Sequence, residues 1–85
     1  MLMDKYIFTS EKGLSFVFNA ANLNMAVGSL IFFLKQGDIF TKESIADMNF
    51  TCICRAGGFD VPFDTERVNR LIALHLNSSP IGYNR

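Results

Sequence analysis

Cys52 and Cys54 are the only thiols in the chain, and His75 is its only imidazole. These three side chains are the ones best equipped for chemistry, as a thiolate nucleophile, a general base or a set of soft metal ligands. A C-x-C pair on a strand points both side chains to one face, where the two thiols are badly placed to bridge each other. A structural zinc site needs about four ligands, and this set supplies three at best. Metal is therefore not expected. The expected role is core packing, with both thiols acting as small hydrophobes beside Phe50. If the hairpin that follows pairs in odd register, Phe59, Val61 and Phe63 share that face. Reduced cysteines of this kind fit a cytoplasmic setting.

His75 falls in the middle of a helical apolar stripe made by Val68, Leu71, Ile72 and Leu76. The ordinary reading is a histidine near a helix C-terminus, where the dipole favours its charge and the ring edge reaches solvent. The functional reading is a pH-sensitive buried contact. Base catalysis would need a nucleophile or an orienting carboxylate beside it, and no feature of the sequence activates either thiol. The acidic residues fall mostly at turns and helix caps, so paired-carboxylate hydrolysis has no basis. Gly13 and Gly57-Gly58 serve turns, and neither a G-x-G-x-x-G nor a P-loop sequence is present. No catalytic residue and no cofactor is expected.

Arg55, Arg67 and Arg70 carry the case for nucleic acid, with Tyr6 and Phe8 as a conceivable stacking platform on a sheet. Against it stands the charge balance, eight basic residues to eight acidic ones, which leaves no overall field to draw the chain onto phosphate or anionic lipid. The plainer role for Arg67 and Arg70 is a solvated helix face, with Glu66 and Arg70 paired at i, i+4.

The elements that must position these residues are legible from periodicity. Lys5–Thr9 and Leu14–Phe18 read as strands joined by the turn Ser10-Glu11-Lys12-Gly13. Leu23, Ala26, Val27, Leu30, Ile31 and Leu34 form a full helical stripe, so a helix is expected from about Ala20 to Gln36, capped by Asn19 and stopped at Gly37. Thr41–Asp47 reads as one short helical turn capped by Thr41. Phe50–Arg55 and Phe59–Phe63 read as a second hairpin around Ala56-Gly57-Gly58, with Pro62 marking an edge or a strand end. A second helix follows, capped by Asp64 and running to about Asn77, and residues 78–85 read as a loose tail.

Shifted by about 45 residues without a gap, the chain aligns with itself. Gly13 falls on Gly58, Phe18 on Phe63, Asn19 on Asp64, and the two helical stripes coincide. The expected fold is α+β within a single domain, 1–85. Two β-β-α units, an internal repeat of 3–35 and 48–80, give a four-stranded, mostly antiparallel sheet with two helices on one face.

Hydrophobic residues make up 49% of these 85 residues and charged ones only 19%, an apolar excess that suggests surface buried against a partner. Two places carry it. Ala21, Met25, Gly28 and Phe32 form a second stripe roughly 140–200° from the core stripe of the long helix. On the reverse of the sheet, Tyr6, Phe8, Val17 and Ile53 point outward if Leu14, Phe16 and Phe18 face the helices along with Ile7 and Thr9. An even register would turn Tyr6 and Phe8 inward, since a one-residue slip swaps the whole set. Ala20–Leu34 is too short and too polar to span a bilayer, and Met1-Leu2-Met3-Asp4-Lys5 lacks the pattern of a secretory leader. The expected function is a small non-enzymatic protein–protein interaction module that self-associates or docks on a larger protein. Size alone likens it to the inhibitors encoded by phages and mobile elements. The alternative is a nucleic-acid-binding regulator using Arg55, Arg67 and Arg70.

Overall fold

The computed structural model describes residues 3–77; the expected C-terminal tail lies outside the described residues. The elements follow in the order β1 (Asp4–Thr9), β2 (Ser15–Ala20), α1 (Leu23–Lys35), α2 (Lys42–Ala46), β3 (Thr51–Ala56), β4 (Phe59–Pro62) and α3 (Thr65–Asn77). The four strands form one antiparallel sheet ordered β2-β1-β3-β4, with α1 against β2 and α3 against β3. The α+β class and the four-stranded antiparallel sheet are as the sequence predicts.

Each turn has its chemistry. The β3–β4 loop is two residues long, and both Gly57 and Gly58 take positive φ, at 58° and 87°. That is the hairpin pattern whose twist matches the flanking strands, and it favours glycine at both places. The β1–β2 loop is closed by the nearly buried Ser10, whose N–H donates to the Leu14 carbonyl and whose Oγ accepts from the Leu14 N–H. Thr41 caps α2 in a reciprocal capping box with Ser44, as expected for a Thr that opens a short turn.

Helix α1 starts later than its periodicity suggests. Asn22, not Asn19, is the N-cap, accepting from the Met25 N–H. Asn19 and Ala20 belong to β2, because pairing of Lys5 with Asn19 and Asp4 with Ala20 extends the ladder and outweighs the local cap signal. Asp64 does cap α3, accepting from the Arg67 N–H. The gapless self-alignment thus matches the positive-φ glycines Gly13 and Gly58 but not the two caps.

The core lies between the sheet and the two long helices. Every residue of the expected α1 stripe is buried, and Val68, Ile72 and Leu76 of α3 meet it. From the sheet come Tyr6, Phe8, Cys52 and Cys54, with Phe50 below them. Tyr6 pairs with Phe18 and Phe8 with Phe16, so β1 takes the even register. Tyr6 is 5% exposed and Phe8 0%; the expectation that they point outward is corrected, and Ile7 takes the outer position between them. Once Phe16 and Phe18 face the helices, direct pairing forces their β1 partners to the same side.

Candidate interaction surface

The thiols are where the sequence places them. Cys52 and Cys54 are buried and free, on the face that also carries Val61 and Phe59 of β4. Burial pushes the Cys52 thiol from 9.0 up to about 12, the reverse of what an activated nucleophile needs. Tyr6, the β1 partner of Cys54, is likewise pushed to about 12 by burial and by the neighbouring thiol. Among the described residues no three His, Cys, Asp or Glu side chains converge to hold a metal ion.

His75 sits half-buried between the two long helices. Its Nε2 donates to Asn24 Oδ1 at 2.9 Å, and the ring packs over Gly28, where an added Cβ would lie 3.4 Å from Cε1. Gly28 therefore belongs to the α1–α3 seam rather than to the outer stripe, which corrects the grouping of Ala21, Met25, Gly28 and Phe32. The sequence does not single out Asn24 as a partner, because the pairing joins residues far apart in the chain.

The three arginines do not share one surface. Arg55 lies on the helix-free face of the sheet, bound through Nε to Asp60 Oδ1 at 2.8 Å; this pairing raises the Arg55 pKa and lowers that of Asp60. Arg67 lies on the helical side, its guanidinium 5.7 Å from the centre of the Phe63 ring. Arg70 reaches Glu66 at 3.8 Å in the expected i, i+4 pair. Arg67 and Arg70 flank a groove of about 410 Å³ beside the first turn of α1.

The apolar surface is extensive, and two parts of it form continuous stripes. On α1, Met25, Phe32 and Phe33 are exposed, Phe32 at 68% and Phe33 at 52%. At helical spacing Met25, Ser29, Phe32 and Phe33 form an outer stripe at i, i+4, i+7 and i+8, and the helix carries a single charged residue, Lys35. Phe33 overhangs the sheet edge, its ring 5.8 Å from Phe16 and 6.0 Å from Phe18. The sequence reading does not single out Phe33. The available signal is the run Ile31-Phe32-Phe33-Leu34, since four successive helical residues span too wide an arc for all to face one core. On the open face, cross-strand pairing lines up Val17, Ile7, Ile53 and Pro62 in one row across all four strands. Val17 and Ile53 are thus on the outer face as expected, with Ile7 and Pro62 replacing Tyr6 and Phe8. A row of Thr9, Ser15 and Thr51 flanks it on one side, and Asn19, Lys5, Arg55 and Asp60 flank it on the other.

Comparison with protein-family models, with curated proteins and with solved structures finds no match to this chain. Among the described residues no helix is long and apolar enough to cross a membrane.

Proposed function

We propose that this protein is a small cytoplasmic interaction module, acting by binding another protein surface through apolar side chains and not by catalysis. The observation that carries this reading is the outer surface of α1, where Met25, Phe32 and Phe33 lie exposed on a helix with one charge. Burying one such side chain is worth about 1.5–3 kcal/mol, so a surface of this kind favours association. Cys52 supports the same reading from the other side, since burial pushes its thiol up to about 12, away from the thiolate that a nucleophile needs.

The test is a double substitution, Phe32→Ser with Phe33→Ser, in the full chain. Sedimentation and affinity capture with the unsubstituted protein should reveal a protein partner, either itself or another chain. The double variant should lose that association while keeping its far-ultraviolet circular dichroism. An unsubstituted chain that associates with no protein, itself included, overturns the reading. Oligonucleotide binding that weakens steeply with salt would favour the nucleic-acid alternative; of Arg55, Arg67 and Arg70, the last two stand together, and Arg70 is paired with Glu66.

A further inference from the structure

The two edges of the sheet differ in how they are protected. The Phe63 N–H donates to the Cys52 carbonyl, so by antiparallel alternation Phe63, Val61 and Phe59 bond to β3, while Asp60 and Pro62 turn their backbone outward. The β4 edge therefore offers a proline without an N–H and a short strand bearing a charge, which are devices that block further pairing. At the other edge the Ser10 N–H donates to the Leu14 carbonyl. Leu14, Phe16 and Phe18 thus bond toward β1, and Ser15, Val17 and Asn19 turn their N–H and C=O groups outward. Strand β2 reads Ser-Phe-Val-Phe-Asn-Ala, with no charge and no proline. It is an undefended edge.

That edge is complementary to itself. In an antiparallel pairing about a twofold axis at Val17, Val17 meets Val17 of the second copy as a hydrogen-bonded pair. Phe16 then lies opposite Phe18, and Ser15 opposite Asn19. The three residues with free backbone groups are the ones such a pairing uses, and Phe-Val-Phe is a palindrome, so each face meets its own kind. The apolar row Val17, Ile7, Ile53 and Pro62 would run unbroken across eight strands. Beside the same edge lies the second, independent feature: Phe33, packed edge-to-face against Phe16 and Phe18, in the apolar α1 stripe with Ser29 as its small residue. A zero net charge adds no overall repulsion between copies. Resting on the interaction-module reading, we infer that the partner is a second copy of this chain, joined β2 to β2 about a twofold axis, with α1 packing on α1 above the joined sheets. A foreign strand could use the same backbone groups, but the palindrome and the matched α1 stripe favour self-pairing, the isologous arrangement of most homodimers.

The experiment is sedimentation velocity on the full chain over about 1–100 μM, a span around the micromolar affinities of weak dimers, with two variants and a cross-link. The unsubstituted chain should sediment as a dimer. Val17→Lys, at a side chain 55% exposed in the protomer, places two ammonium groups together at the axis and should raise the dimer dissociation constant by about a hundredfold or more. Val61→Lys, at the β4 edge, should leave it unchanged. Because Val17→Lys can also perturb the hairpin, Val17→Cys provides a reading on the intact fold. Residues opposite in a hydrogen-bonded pair have Cα atoms about 5.5 Å apart, within disulfide range. Mild oxidation should therefore link the two copies through the thiol introduced at position 17, while Cys52 and Cys54 stay buried and unlinked. A monomer throughout the range overturns the inference, and so does a dimer that tolerates Val17→Lys, breaks with Val61→Lys or fails to link through position 17. In each of those cases the interaction-module reading stands or falls separately, on capture of a different protein through Phe32 and Phe33.

Discussion

Asn69 shows how much a single side chain can hold in a domain of this size. From the first turns of α3 its Oδ1 accepts the Phe50 N–H at 3.0 Å, and its Nδ2 donates to the Phe50 carbonyl at 3.0 Å and to the Thr65 carbonyl at 2.9 Å. Both backbone groups of the fully buried Phe50 are thereby satisfied just before β3 begins. Asn69→Ala would strand them, at about 1–3 kcal/mol for a buried unpaired group, and Asn69→Asp would lose the two donated bonds. Chemical unfolding should show a lower midpoint for both variants, with the Ala variant's denaturant slope unchanged. The alkaline limit of the fold is also set by single residues. The folded pKa values of Cys52 and Tyr6 are raised to about 12, from 9.0 and 10.0. Below about 9 both states hold these protons. Between 9 and 12 the unfolded chain releases them first, so stability falls as pH rises through that window. Urea midpoints at pH about 8 and about 11 should differ markedly, and Cys52→Val should reduce the drop. A midpoint that holds level to pH 11 would contradict the burial of both groups.

At the scale of elements, what the sequence made legible was periodicity, and what it hid was parity. The α1 stripe was readable because six apolar positions repeat at helical spacing and all six are buried. The face of β1 was not, because Lys5-Tyr6-Ile7-Phe8-Thr9 has large apolar side chains on both sides of the strand, and only pairing with Phe16 and Phe18 decides between them. His75 and Asn69 escaped full reading for a related reason: their partners, Asn24 and Phe50, are distant in sequence. The same helix yields a graded prediction. Leu30 is fully buried, Phe33 rests on Phe16 and Phe18, and Phe32 points to solvent. Leu30→Ala should cost about 2–5 kcal/mol. Phe33→Ala loses two aromatic pairs, each worth about 0.5–1.5 kcal/mol. Phe32→Ala should cost the protomer no more than about half a kcal/mol. Melting followed over a range of protein concentrations separates protomer stability from association, since a dimer's midpoint rises with concentration. If Phe32→Ala destabilises as much as Leu30→Ala at every concentration, α1 has one face and not two.

At the scale of the whole molecule, the described residues form a two-layer fold with one sheet face left open, and the kind of surface on that face predicts how salt acts on it. Helices cover one side of the sheet; the other side carries an apolar row between a hydroxyl row and a row of Asn19, Lys5, Arg55 and Asp60 in which Arg55 and Asp60 already neutralise each other. Strand β2 brings no charge to its edge, and α1 brings one. Association through β2 and α1 is therefore driven by apolar burial and backbone hydrogen bonds, neither of which depends on screening at moderate ionic strength. Raising salt from about 0.05 to about 0.5 M should leave the self-association constant within a few-fold, or strengthen it slightly when the salt is a sulfate. Contacts to phosphate would behave in the opposite way, since each one releases condensed counterions and affinity falls by orders of magnitude over a comparable span. Sedimentation across this salt series, alongside fluorescence anisotropy with a labelled oligonucleotide, reads both quantities on one preparation. Self-association that collapses at high salt would mean that charged groups hold the copies together, and the surface built on Val17, Phe32 and Phe33 would then not be the one that binds.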